Sequence, residues 1–175
     1  MKFGPVPVSE ATGAILAHSA RLTGRVLKKG HLITIDDIDL FTEEGILEVT
    51  VARLEANDVS ENDAAALITK ALAGTNVKAG DAFTGRCNLI SEAHGLVTLD
   101  SNRLNEINLI DESVTIATSA SFDIATDGQL IATIKIIPFA ISKSILDAVI
   151  AAIGDTPLVS IAAFENKSIG LIMTR

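Results

Sequence analysis

Glycine, proline and helix-capping residues divide this chain into short segments, and this division limits the folds open to it. The 175 residues include 12 glycines and 4 prolines, and the apolar runs between them are short. Runs of β-branched residues predict strands, whereas capped runs with apolar positions at helical spacing predict helices. Because the two kinds of segment alternate, we predict an α+β fold that is β-rich with short interspersed helices.

The clearest helix signal is a capping residue followed by apolar positions three or four residues apart. Thr34 and Asp37 have the spacing of a capping box, with Asp in place of Glu. The apolar stripe of this first helix consists of Ile35, Ile38 and Phe41. The same signal predicts three further short helices, which begin at Ser60, Asp100 and Ser142.

Strands are expected where β-branched or alternating runs lie between turn residues. The predicted strands cover residues 3–8, 13–17, 25–29, 46–54, 83–90, 96–99, 114–120, 130–137, 158–164 and 169–174. The runs 114–120 and 130–137 flank the turn dipeptide Asp127-Gly128, so we expect them to form a hairpin with a long loop. We divide these elements into a β-rich subdomain with one helix, residues 1–56, and an α+β subdomain, residues 57–167.

The overall charge excludes several classes of partner. The formal net charge is −8, which opposes contact with nucleic acid and with anionic membranes. Six Phe and no Trp or Tyr leave few side chains for stacking on bases. The single cysteine, Cys87, cannot form an internal disulfide and suits a reducing compartment. We therefore predict a cytoplasmic protein with neither nucleic acid nor a membrane as its partner.

Cationic residues are concentrated in residues 21–31, which we call the basic segment. Its charged or titratable members are Arg21, Arg25, Lys28, Lys29 and His31. The segment can serve as an anion site, or it can be a hairpin whose charges simply face water.

A second candidate anion site lies in residues 83–89. Gly85 lets the backbone approach an anionic oxygen, Arg86 offers a bidentate fork, and Asn88 adds an amide. The alternative is a bulged strand with an exposed arginine. If the site exists, we expect Arg86 to contribute most, with support from Lys28 or Lys29.

The spacing of residues along the chain shows no signature of a catalytic or metal site. The three histidines are scattered without the spacing of zinc ligands, so we predict no metal site. The chain has no glycine loop of the kind that cradles a pyrophosphate, and we assign no catalytic residue.

Five stretches, in order along almost the whole chain, resemble bacterial molybdopterin-binding proteins related to molybdopterin molybdotransferases. They are residues 13–19, 27–30, 48–54, 83–86 and 135–140. The resemblance implies an N-terminal scaffold or dimerisation module of molybdenum-cofactor biosynthesis, without activity of its own. It also implies that molybdopterin binds in a longer protein rather than tightly to these residues. Because the apolar strand 169–174 has no following strand to cover it, we expect it to pair with another strand of this chain or with the sheet edge of a second copy, and we therefore predict a homo-oligomer.

The resemblance leaves a second interpretation open. Some members are fused to a nucleotidyltransferase domain of the molybdopterin cytidylyltransferase kind, related to methylerythritol-phosphate cytidylyltransferase. The chain would then be a fragment of such an enzyme, although Lys2-Phe3-Gly4-Pro5 does not supply the nucleotide loop that this enzyme needs. In either case residues 168–175 resemble the first strand of a following α/β domain that binds molybdopterin.

Overall fold

The structure is a computed structural model and describes residues 1–174. Strand exceeds helix, at 36% against 25%, which confirms a β-rich α+β fold. The strands are β1 (Lys2–Pro7), β2 (Ile15–Leu16), β3 (Ala20–Leu22), β4 (Arg25–Leu27), β5 (Glu48–Arg53), β6 (Asp58–Ser60), β7 (Val77–Ala79), β8 (Arg86–Ser91), β9 (Gly95–Leu99), β10 (Val114–Thr118), β11 (Ile124–Ala125), β12 (Leu130–Ile136), β13 (Ala140–Ser142) and β14 (Val159–Ala163). The helices are α1 (Ile35–Glu43), α2 (Glu61–Leu72), α3 (Ser101–Asn108) and α4 (Lys143–Ile153).

Two hydrophobic clusters form the core. The smaller cluster lies within residues 8–51, around Phe41 of α1 and the sheet of order β1-β5-β2. The larger cluster lies within residues 64–161, where α2 packs on β8 and β12 of the sheet of order β10-β12-β8-β7. We call the part of the chain that holds the smaller cluster the N-terminal region, and the part that holds the larger cluster the larger region. A third, small cluster joins these two regions and consists of Ala17, Ala52 and Phe139.

The strand pairs within these sheets are antiparallel. β10 pairs with β12 as expected for the predicted hairpin, and its long loop contains β11, which pairs with β9 instead. The short strands β6 and β13 pair with each other and have no counterpart in the sequence prediction. They matter for the site because β6 leads directly into α2 and β13 follows Phe139.

The four predicted helix starts are confirmed. Thr34 and Asp37 form a reciprocal capping box at α1. The other capping side chains accept a backbone N–H from the third residue along, and they are Ser60, Asp100 and Ser142. The predicted stripe of α1 is wrong at Ile35, whose side chain is 66% exposed, while Asp37 is buried in its place. The helix turns Asp37 inward because His31 and Thr34 offer it hydrogen bonds.

Two predicted strands differ from the structure. Residues 83–85 are not strand, because Thr84 and Gly85 both have positive φ and form a tight turn that closes Phe83 onto Arg86. Residues 169–174 form no strand: the segment lies exposed without a pairing partner among the described residues. An apolar run without a neighbouring strand has no backbone partners, so its composition alone does not make it β structure. Arg175, the last residue of that prediction, lies outside the described residues.

Candidate basic cleft

The basic segment borders a cleft of about 400 Å³ between the two regions of the molecule. One wall comes from residues 25–31, and the other comes from the start of α2 and from the turn at residues 83–84. We call this space the basic cleft, and its lining residues are Arg25, Val26, Leu27, Lys28, Lys29, Gly30, His31, Glu61, Asn62, Phe83 and Thr84. Its position places residues from distant parts of the sequence within reach of one ligand.

A second hollow of about 280 Å³ adjoins the basic cleft. The two spaces share the lining residues Lys29, Gly30, Glu61 and Thr84. The second hollow adds three residues of the larger region, namely Lys135, Ile137 and Phe139. Lys29 and Glu61 therefore stand at the boundary between the two spaces.

Backbone hydrogen bonds fix the basic segment against β2. The Leu16 N–H donates to the His31 carbonyl at 2.8 Å, and the Gly30 N–H donates to the Leu16 carbonyl at 2.9 Å. The Lys29 N–H donates to the Ser19 hydroxyl at 2.9 Å. These bonds hold the turn at Lys28-Lys29-Gly30, so its side chains project from an ordered backbone.

Asp37 organises the polar contacts of this wall and is fully buried. Its Oδ2 lies 2.6 Å from His31 Nε2 and also accepts from the Thr34 N–H at 2.9 Å. Its Oδ1 lies 3.5 Å from Arg25 Nη1. Burial by itself raises the pKa of this carboxyl, but the hydrogen bonds from Thr34 and His31 outweigh it and lower the pKa to about 2. Ionised Asp37 therefore holds His31 in place and lies near the charge of Arg25.

The opposite wall contains the tight turn at Thr84-Gly85. The Asn62 side-chain oxygen accepts from the Gly85 N–H at 2.9 Å and ties the turn to the first residues of α2. A β-carbon on Gly85 would lie 2.7 Å from Glu61 Oε2 and 2.7 Å from the Ile136 carbonyl oxygen. Glycine is therefore required here both for the positive φ and for this close approach.

Glu61 places a carboxylate at the boundary of the two hollows. Partial burial raises its pKa, and the charges of Lys135 and Lys29 act in the opposite direction. Neither lysine forms an ion pair with it: Lys135 Nζ donates to the Thr84 carbonyl, and Lys29 Nζ lies 5.0 Å from the centre of the Phe139 ring. Within residues 1–174 the carboxylate thus lies near two cations and bonds to neither.

The structure brings together part of the candidate set from the sequence. Lys28 and Lys29 line the basic cleft, and Gly85 belongs to the turn on its far wall. Arg86 and Asn88 do not line either hollow. Asn88 instead accepts a hydrogen bond from the Thr133 hydroxyl at 2.9 Å on the neighbouring strand β12.

Sequence reasoning did not select two residues of the site, Glu61 and Lys135. Glu61 and Lys135 carry no local motif, and only the pairing of β8 with β12 and the position of α2 bring them to the turn. His31 belonged to the basic segment, but its bond to Asp37 was not foreseen. The capping-box spacing that identified Asp37 was the available signal, because a capping carboxylate can also accept a bond from a nearby side chain.

Comparison with known proteins adds one partial match. Residues 5–53 match a family described as Domain of unknown function (DUF8806). This stretch contains the whole smaller cluster and the basic segment, and it ends before the residues that α2 and the larger sheet contribute to the cleft. No curated protein and no solved structure matches the chain. No helix among the described residues is both long and apolar enough to cross a membrane.

Proposed function

We propose that this chain is a binding module that holds a small phosphate-bearing ligand in the basic cleft. The observation that carries the proposal is a local reversal of charge. Arg25, Lys28 and Lys29 line one open cleft, with Lys135 beside it, although the molecule as a whole has a net charge of −8. A cation held at such a wall attracts an anion more strongly than one in free solution.

The geometry favours an oxyanion as the bound group. Arginine and lysine side chains donate charge-assisted hydrogen bonds to phosphate and carboxylate oxygens, and each such bond contributes about 1.5–3 kcal/mol. The backbone of the wall is ordered before any ligand arrives, because β2 and Ser19 hold Lys28-Lys29-Gly30 and Asp37 holds His31. Less conformational entropy is then lost on binding.

We propose a holding role rather than a catalytic one. No serine or cysteine lies among the residues that line the two hollows, all of which belong to the described part of the chain. Cys87, in β8, is buried and donates its thiol hydrogen to the Gly80 carbonyl. The resemblance to molybdopterin-binding proteins implies that molybdopterin is held tightly elsewhere in a longer protein. Since molybdopterin carries a phosphate, we propose that the basic cleft adds a contact to that group. In that setting the chain would be a scaffold that presents the cofactor in a longer cytoplasmic protein and that forms a homodimer.

Titration calorimetry at low salt with inorganic phosphate and pyrophosphate tests the binding proposal. We expect pyrophosphate to bind, and we expect Lys29→Ala to weaken it about tenfold or more, which matches the loss of one charge-assisted bond. Lys70→Ala removes an exposed lysine of α2 outside the cleft and serves as the control. Its effect should stay below about twofold, because screened surface charges contribute little.

Two results would contradict the proposal. Equal weakening by Lys29→Ala and Lys70→Ala would mean that the anion responds only to overall charge. Binding of CTP with Mg²⁺ that is much tighter than binding of pyrophosphate would instead favour the nucleotidyltransferase interpretation.

A further inference from the structure

A site for a bare anion does not explain the carboxylate of Glu61. Glu61 lines both hollows, it is partly buried, and its pKa is raised by that burial. Its negative charge repels the same phosphate that the lysines attract. An ionised carboxylate accepts hydrogen bonds but has no hydrogen to donate. It therefore suits a ligand that brings N–H donors of its own.

An exposed aromatic ring lies in the same cleft. Phe83 lines the basic cleft and is 76% exposed, which leaves its ring available to a ligand. The tight turn at Thr84-Gly85 fixes its backbone, because the Phe83 N–H donates to the Arg86 carbonyl at 2.8 Å. Aromatic side chains of this kind stack on flat heterocycles.

We infer that the basic cleft takes a phosphorylated aromatic heterocycle that presents two adjacent N–H donors to Glu61. The phosphate contacts the cations of the basic segment, the ring stacks on Phe83, and the donor edge pairs with the two carboxylate oxygens. This inference rests on the proposed function and makes Glu61 the residue that determines specificity. The cleft, at about 400 Å³, is within the size range of small-molecule sites.

Guanine is the nucleobase with the required edge, because its ring N–H and its 2-amino group lie side by side. Guanosine monophosphate is therefore the probe, and two other nucleotides serve as comparisons. Adenosine monophosphate lacks both donors, and inosine monophosphate lacks only the 2-amino group. Pterin-6-carboxylate carries the same donor edge on a different ring and distinguishes a pterin source from a nucleotide source.

Calorimetry with the full chain should give the highest affinity for guanosine monophosphate, a lower affinity for inosine monophosphate and the lowest for adenosine monophosphate. We expect roughly a tenfold preference for guanosine over adenosine monophosphate, as for a hydrogen bond to a charged group. Glu61→Gln should remove most of that preference and should leave inorganic phosphate binding unchanged or up to about threefold tighter, since a repulsive charge is lost. Glu106→Gln changes an exposed carboxylate of α3 and should alter neither value.

A second variant keeps the test independent of Glu61. Phe83→Ala should weaken guanosine monophosphate about fivefold or more through lost stacking, without a comparable effect on inorganic phosphate. Circular dichroism melting confirms that each variant is folded.

The possible outcomes separate the two proposals. Phosphate binding that depends on Lys29, with no preference among the three nucleotides and none for pterin-6-carboxylate, overturns the inference and leaves the binding module. If the unaltered chain binds neither phosphate nor any of the nucleotides, both the proposed function and this inference are wrong. A preference for pterin-6-carboxylate alone, lost in Glu61→Gln, supports the inference and identifies the pterin ring as its source.

Discussion

The two regions of the molecule bury different kinds of polar group. The larger region buries two hydroxyls, Thr69 and Ser91, and each donates to a nearby backbone carbonyl. The N-terminal region buries the carboxylate of Asp37, which bonds to His31 and Thr34. A buried charge is costly unless its partners remain in place, whereas a satisfied hydroxyl is not. The region that supplies most cations of the cleft is therefore also the one whose stability depends on charge.

The largest difference in stability between the two regions is expected when a buried side chain of the core is shortened. Phe41→Ala empties the centre of the smaller cluster, where the ring is fully buried, and should cost about 3–5 kcal/mol of the free energy of unfolding. A region of about 50 residues has little surplus stability, so we expect it to unfold before the larger region. Hydrogen exchange followed by mass spectrometry reports the two regions separately.

Ile134→Ala in β12 is the matched variant for the larger cluster, where its side chain is also fully buried. It should cost about 2–5 kcal/mol and should speed exchange throughout the molecule. If Phe41→Ala speeds hydrogen exchange in α2 and α4 as much as in α1, the two regions unfold as one cooperative unit and this expectation is wrong.

Asp37→Asn should have the next largest effect. The folded carboxyl has a pKa of about 2, below its ordinary value of about 3.8, so ionisation favours the folded state. The stabilisation, roughly 2 kcal/mol, is fully present above about pH 4 and is lost as the pH falls towards about 2. Urea unfolding followed by circular dichroism at pH 7 and pH 3 measures it.

The variant should therefore be less stable than the unaltered chain at pH 7, and this difference should shrink at pH 3. Asp36→Asn is the control, because Asp36 is the exposed neighbour on α1. A constant difference at the two pH values would show that Asp37 acts through shape and not through charge.

Turn glycines of the two regions offer a finer comparison. Gly85 and Gly24 both have positive φ, but a β-carbon meets close neighbours only at Gly85. Gly24→Ala should cost about 1 kcal/mol from backbone strain alone. Gly85→Ala should cost about 1–2 kcal/mol and should also displace Glu61 or the turn. Equal losses of melting stability would mean that the contacts with Glu61 and with the Ile136 carbonyl are both relieved without cost.

The sequence was sufficient for the elements that depend on local signals. The caps at Thr34, Ser60 and Ser142 marked helix starts because a side-chain oxygen and a backbone N–H three residues on are fixed by local geometry. The β10–β12 hairpin followed from its β-branched runs in the same way. The basic segment was also identified, since clustered charge is visible without a structure.

The rest of the site depends on contacts between distant residues. Glu61 and Lys135 meet only because α2 packs on the sheet that contains β12. Arg86 was expected to be the main anion contact, but the positive φ values of Thr84 and Gly85 make a turn, and Arg86 lies outside both hollows. Alternation of residue types along one segment does not report such a turn.

A further difference between the two regions concerns the helix caps. Thr34→Ala should cost about 1–2 kcal/mol, because the hydroxyl both accepts from the Asp37 N–H and donates to Asp37 Oδ2 at 2.8 Å. Ser142→Ala should cost about 0.5–1 kcal/mol, since the hydroxyl only accepts a cap bond from Ile145 N and contacts the Ser144 hydroxyl at the surface. Thermal melting of the two variants at pH 7 and at pH 2, where Asp37 becomes protonated in the folded chain, measures both losses. The loss from Thr34→Ala should fall at low pH as Asp37 is protonated, and the loss from Ser142→Ala should stay constant. If both losses respond to pH alike, the charge of Asp37 does not distinguish the two regions.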